Sequence, residues 1–138
     1  MKVLIDTNVI LDFFLQRDSF QEAATILSLI MNRNIKGLIT ASSITDIYYI
    51  ARKIAGRSKA IEIVLKIFAI LSVSDTKADS VFRAAYYDWQ DFEDAVQYAT
   101  AQDNNVDYII TRDKTGYTQS VIPVSTPTEF LSQVLKHE

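Results

Sequence analysis

Four aspartates in this chain stand where an apolar run meets a polar one. They are Asp6 in Leu4-Ile5-Asp6-Thr7-Asn8, Asp46 in Ser43-Ile44-Thr45-Asp46, Asp94 in Asp91-Phe92-Glu93-Asp94-Ala95, and Asp113 in Thr111-Arg112-Asp113. Carboxylates gathered at one place repel one another and are driven to protonate unless a cation holds them. With no Cys and a single His in the chain, oxygen ligands point to Mg²⁺ or Mn²⁺ over zinc or copper. An ion held in that way lowers the pKa of water and neutralises charge at a phosphate ester. His137 lies too near the end of the chain to enter such a site.

For four acids so far apart in sequence to meet, the elements between them must return repeatedly to one edge. The run Met1 to Asp6 reads as a buried strand, followed by helices over 8–15 and 19–31, the second with Ser19 and Glu22 in capping-box spacing. Gly37 precedes a second strand over 38–41. Ser42 or Ser43 then caps a helix that runs to Gly56, with Ile44, Ile47, Tyr48 and Ala51 at helical spacing. Another helix spans 58–68, a third strand 69–73, and further helices 75–87 and 91–102. A fourth strand covers 108–111, a fifth 121–124, and Pro127 opens a closing helix that ends around Lys136. Short apolar strands alternating with helices predict an α/β/α sandwich, with a mostly parallel sheet of about five strands covered on both faces. Ligands of such sheets bind beyond the carboxyl ends of the strands. Asp6 and Asp113 follow strands, and Asp46 and Asp94 are expected in first helical turns facing the same edge.

The 138 residues suit one domain, 1–138, with no repeat or linker; 49% are hydrophobic, and three Gly and two Pro leave little room for disordered tails. The absence of Cys is compatible with a reducing cytoplasm. A strand at the very start predicts no leader segment, and the longest apolar runs, such as Ile67 to Leu71, are too short to span a bilayer. The net charge of −3 weighs against a simple nucleic-acid-binding module, which would carry a basic surface. It weighs less against an enzyme whose ions supply the positive charge.

At these motifs the chain resembles the PIN domain, a family of metal-dependent ribonucleases that includes the VapC-type toxins. The resemblance extends from Lys2 to Leu131. It is carried by Val3-Leu4-Ile5-Asp6-Thr7-Asn8, Ser43-Ile44-Thr45-Asp46-Ile47-Tyr48, Asp94-Ala95-Val96-Gln97-Tyr98-Ala99 and Ile110-Thr111-Arg112-Asp113. The tail segments Ile122-Pro123-Val124 and Pro127-Thr128-Glu129-Phe130-Leu131 resemble the family as well. The second acid of the family is more often Glu, and Asp46 is shorter by one methylene, about 1.5 Å. The shorter reach leaves either a direct metal contact or one through water at this position.

The resemblance implies an endoribonuclease hydrolysing RNA phosphodiester bonds with one or two Mg²⁺ or Mn²⁺ ions. Asp6 and Asp94 would hold the principal ion, and Asp46 and Asp113 would complete the metal site directly or through water. Asn8, Asp91 and Thr111 are expected to support them: Asn8 by orienting Asp6, Asp91 from one turn away, and Thr111 through its hydroxyl toward water or Asp113. Arg52, Lys53, Arg57 and Lys59, with Arg112, are candidates for a phosphate track; the simpler reading of the first four is a solvated helix end. Tyr86, Tyr87, Trp89 and Phe92 are read as core or subunit packing over base stacking. The implied partners are an RNA substrate, a second copy in a homodimer and an antitoxin protein; no membrane is involved. The alternative is a non-catalytic RNA-binding or assembly module. A nucleotide-binding Rossmann domain or a P-loop would need glycines that are missing after the first strand, and a haloacid-dehalogenase-like phosphatase would need Asp where Asn8 stands.

Overall fold

The computed structural model describes residues 1–32 and 34–136, so His137 lies outside the described residues. Its elements run β1 (Lys2–Ile5), α1 (Thr7–Phe14), α2 (Phe20–Met31), β2 (Lys36–Thr40), α3 (Ala41–Ala55) and α4 (Arg57–Ile70). They continue with β3 (Ser72–Ser74), α5 (Ala78–Tyr87), α6 (Phe92–Asp103), β4 (Tyr108–Ile110), a 3₁₀ turn (Lys114–Tyr117), β5 (Val124–Ser125) and α7 (Pro127–Lys136). The five strands form one sheet in the order β3-β2-β1-β4-β5, parallel throughout.

Alternation along the strands sorts the helices into two layers. Val3, Ile5, Ile39 and Ile110 face one side, where they pack with α1–α4 and Phe130 of α7. Leu4, Leu38 and Ile109 face the other, against Tyr98 and Ala101 of α6, which in turn packs on α5. Strand β1 is central, and Val3, Leu4 and Ile5 are wholly buried. Each side chain so buried contributes about 1.5–3 kcal/mol. The α/β/α sandwich expected from the sequence is therefore present.

Strands added after β1 extend the sheet first through β2 and β3, then on the opposite side through β4 and β5. The reversal falls between β1 and β4, and a crevice opens there at the carboxyl ends of the strands. Asp6 and Thr111 leave those two strands side by side, with the Asp6 N–H donating to the Ile110 carbonyl at 3.0 Å. Helix α6 runs back toward β4, so its N-terminus, with Asp91 and Asp94, lies at the same edge.

Several boundaries differ from the sequence reading. Helix α3 begins at Ala41, because the Thr40 hydroxyl accepts from the Ser43 N–H at 3.1 Å. Neither Ser42 nor Ser43 is the cap, and Asp46 falls in the second turn. Ser19 precedes α2 without a side-chain capping bond. Gly37 lies inside β2, where a side chain would run into Ile30 and Leu71. Ala69 and Ile70 continue α4, so β3 begins only at Ser72. Residues 75–77 precede α5, and β5 starts at Val124, three residues later than expected. Gly56 ends α3 with φ +89°, a conformation that costs other residues strain.

Candidate active site

Asp6 is the best-defined acid of the edge. It is 8% exposed, and its Oδ1 accepts from the Thr7 N–H at 2.7 Å and from Gln97 Nε2 at 2.6 Å. Its Oδ2 accepts from the Thr111 hydroxyl at 2.8 Å. The side chain is thus oriented by Gln97 and Thr111, with the N-terminus of α1 behind it. Asn8 does not orient it: its Oδ1 accepts from Arg17 Nη2 at 3.2 Å. The Thr7 hydroxyl, for its part, pairs with the hydroxyl of Ser43.

Asp94 sits in the first turn of α6, half-buried beside Asp6. Asp91 caps that helix, its Oδ1 accepting from the Asp94 N–H at 3.1 Å. Burial, then the charges of Asp6 and Asp91, with a smaller contribution from Asp113, push the Asp94 carboxyl up to about 6. Two neighbours missed in the sequence complete its surroundings. Gly116 lies so close that any β-carbon there would collide with the Asp94 carboxylate. Tyr117 is buried next to it, and its phenol is pushed well up by burial and by the charges of Asp6 and Asp94. The spacing of Gln97 three residues after Asp94 was a visible signal for one further residue that the sequence reading missed. Gly116 and Tyr117 come from a 3₁₀ turn that no periodicity announced.

Asp113 is exposed and caps that turn, accepting from the Thr115 N–H at 3.0 Å and the Thr115 hydroxyl at 2.8 Å. These bonds and the nearby Arg112 guanidinium hold its carboxyl below the usual range. Thr111 directs its hydroxyl to Asp6; its contact with Asp113 is to the carbonyl, at 3.3 Å. Asp46, in the second turn of α3, is half-buried, and burial raises its carboxyl.

The acids line two adjoining clefts that share Asp6, Asn8, Asp91 and Asp94. The larger, about 610 Å³, contains Asp113, Thr111 and Arg112; the smaller, about 330 Å³, contains Asp46. Among the described residues no three Asp, Glu, His or Cys side chains stand close enough to hold one ion by themselves. Mg²⁺ makes a weaker demand, since it keeps several waters and commonly takes one or two carboxylates. The Asp6–Asp94 pair meets that demand.

The basic candidates separate into two groups. Arg52, Lys53, Arg57 and Lys59 are exposed at the corner between α3 and α4, and none of them lines either cleft. Arg112 does line the larger one, and its Nη1 donates to Oδ1 of Asp12 at 2.7 Å. Asp12, fully buried, also accepts from Arg17 Nε at 2.9 Å. The aromatic group divides too. Tyr87 and Trp89 pack with Tyr98 and Tyr117, whereas Tyr86 and Phe92 are exposed.

A parallel sheet with clustered carboxylates at its switch point defines a class of α/β proteins with an acidic edge. Residues 2–115 match the family model described as PIN domain, and the chain belongs to the PIN domain family. It is 30% identical over 135 residues to "Ribonuclease VapC1" of Aquifex aeolicus, covering 94% of this chain and 92% of that protein. The fold is similar to Mycobacterium tuberculosis VapC20, described as a sarcin-ricin loop cleaving toxin, with a TM-score of 0.71 at 10% identity over 85% of this chain and 94% of the other. It is also similar to a chain of a toxin-antitoxin complex from Klebsiella pneumoniae, with a TM-score of 0.68 at 21% identity over 91% and 97%.

Proposed function

We propose that this protein is a divalent-metal-dependent endoribonuclease, acting as a single domain and as the toxin of a toxin-antitoxin pair. The observation that carries the reading is the Asp6–Asp94 pair at the switch point, in a field negative enough to raise Asp94 to about 6. Such a pair calls for a cation. The similarity to a ribonuclease over nearly the whole chain supports RNA as the substrate.

Asp6 and Asp94 would hold Mg²⁺ or Mn²⁺, with Asp113 and Asp46 acting through water from the two clefts. When bound, the ion supplies a lowered pKa for the attacking water and positive charge at the phosphate. Gln97 and Thr111 keep Asp6 aimed and desolvated. Asp91 contributes charge and fixes the start of α6. Arg112, held by Asp12, presents its remaining N–H groups to a phosphate in the larger cleft. Arg52, Lys53, Arg57 and Lys59 attract the RNA more distantly.

The toxin-antitoxin complexes among similar folds support an antitoxin partner. Exposed Leu65 and Phe68 on α4, and Phe82 and Tyr86 on α5, support docking of protein, including a second copy in a homodimer. No helix among the described residues is long and apolar enough to cross a membrane, in keeping with a cytoplasmic site of action. The test is cleavage of structured and single-stranded RNA in Mn²⁺, Mg²⁺ or EDTA by wild type and Asp6→Asn. Metal-dependent cleavage lost in the variant is expected. Equal cleavage by both would mark a contaminant, and RNA binding without cleavage would favour a non-catalytic module.

A further inference from the structure

The two clefts meet at Asp6 and Asp94 but differ in what else they offer. The larger is walled by Trp89, Gln90, Thr118 and Gln119. Trp89 is fixed in place, stacked on Tyr98 at 4.8 Å and edge-on to Tyr117 at 5.9 Å. Gln90 and Gln119 are exposed. Each amide presents both donors and an acceptor, the pattern that pairs with the edge of a base. The amides of the smaller cleft, Asn8 and Gln97, are engaged with Arg17 and Asp6, and the cleft is also lined by Tyr49 and Ile50 of α3. Tyr49 is 57% exposed and is braced edge-on by Tyr48, with ring centroids 5.2 Å apart. An exposed, braced phenol ring is a platform on which any base can stack.

The two clefts adjoin at the acid pair, so a chain whose scissile phosphate lies there can run from one into the other. We propose that the clefts hold the two nucleotides flanking the scissile phosphate of single-stranded RNA, Gln90 and Gln119 reading the edge of one base while Tyr49 stacks the other. This rests on the ribonuclease reading above and deepens it, by assigning the two sides of the cut different roles. In a paired strand the Watson–Crick edge is taken up by the partner base and the faces by stacking. Discrimination among bases then falls on one side of the cut, and the other side tolerates every base because all have a π face.

The experiment uses a random-sequence single-stranded RNA of about 12 nucleotides with wild type, Tyr49→Ala, Tyr49→Phe and the double variant Gln90→Ala/Gln119→Ala. Cleavage ends formed in Mn²⁺ are sequenced, and binding of the same RNA is followed in Ca²⁺ by fluorescence anisotropy. Wild type is expected to prefer one base on one side of the cut, and the double variant to flatten that preference about tenfold. Tyr49→Ala is expected to raise KM about tenfold, the loss of one base–aromatic stack, with the base preference retained and Tyr49→Phe restoring KM. A wild-type pattern without preference, a preference kept by the double variant, or an unchanged KM for Tyr49→Ala overturns the proposal and leaves the ribonuclease reading intact. RNA binding weakened about tenfold by Tyr49→Ala, with no cleavage by any of the proteins, supports the Tyr49 stacking subsite and overturns the nuclease. Absence of both cleavage and binding overturns the two together.

Discussion

Replacing Asp94 by Asn should make the metal-free protein more stable while removing its metal-dependent activity. The Asp94 carboxyl is raised from 3.8 to about 6, first by burial and then by the charges of Asp6 and Asp91. Two units correspond to about 3 kcal/mol; half-burial and screening reduce the expected effect to roughly 1–2 kcal/mol. Because the folded value lies above the unfolded one, the native state takes up a proton as pH falls through the window from 6 to 4. Stability therefore decreases as pH rises through that window, and the full penalty is present above it. Asn has nearly the shape of Asp without the charge, so at pH 7.5 in EDTA the variant should melt about 3–8 °C higher in scanning calorimetry. Linkage makes the gain about half as large at pH 5. Adding Mn²⁺ should reverse the order, stabilising wild type by about 2.7 kcal/mol at a hundredfold excess over Kd and the variant much less. A variant no more stable than wild type in EDTA at pH 7.5, or a gain as large at pH 5, would refute the reasoning.

Gly116→Ala should lower kcat/KM about a hundredfold, since its β-carbon occupies the place of the Asp94 carboxylate and ångström-scale misplacement costs that much; circular dichroism should stay unchanged. Asp12→Ala should destabilise the fold by about 2–3 kcal/mol in urea titrations. It strips a buried carboxylate from Arg17 and Arg112, and those two are partly exposed, which puts the cost below that of a fully buried pair. Gln97→Leu should cost about 1–3 kcal/mol by leaving Asp6 short of a donor, and Mn²⁺ titration followed by thermal shift should report weaker binding. Neutralising Lys53 and Arg57 together should reduce the slope of log Kd against log salt for single-stranded RNA by about 0.7 for every phosphate that the two side chains neutralise in the wild type. An unchanged slope would remove the α3–α4 corner from the RNA path.

Central strand β1 and the acid after it were legible because their signals are local. Val3, Leu4 and Ile5 form a continuous apolar run, as a strand buried on both faces must, and Asp6 ends it. The end of α3 at Gly56 was readable for the same reason, since it depends on one residue's own backbone. Helix α3 shows where that reading stops. Thr40 competes with Ser42 and Ser43 for the cap, and its victory places Asp46 in the second turn where the sequence put it in the first. The strand ends at Ser72 and Val124 shifted because pairing with β2 and β4, not composition, decides where a short parallel strand begins. Which residues orient Asp6, and which press on Asp94, was decided only by the tertiary fold. Thr111 and Gly116 reach the two acids across 105 and 22 positions of chain, and neighbours at that range leave no periodic trace; the helical spacing of Gln97 to Asp94 left one, but not its reach across 91 positions to Asp6. Local pattern alone was enough to bring carboxylates to the carboxyl edge of a parallel sheet, because the order of strand, loop and helix follows from it. The folded chain decided that they line two clefts, because the order in which strands join the sheet reverses between β1 and β4 and there distant segments come within reach.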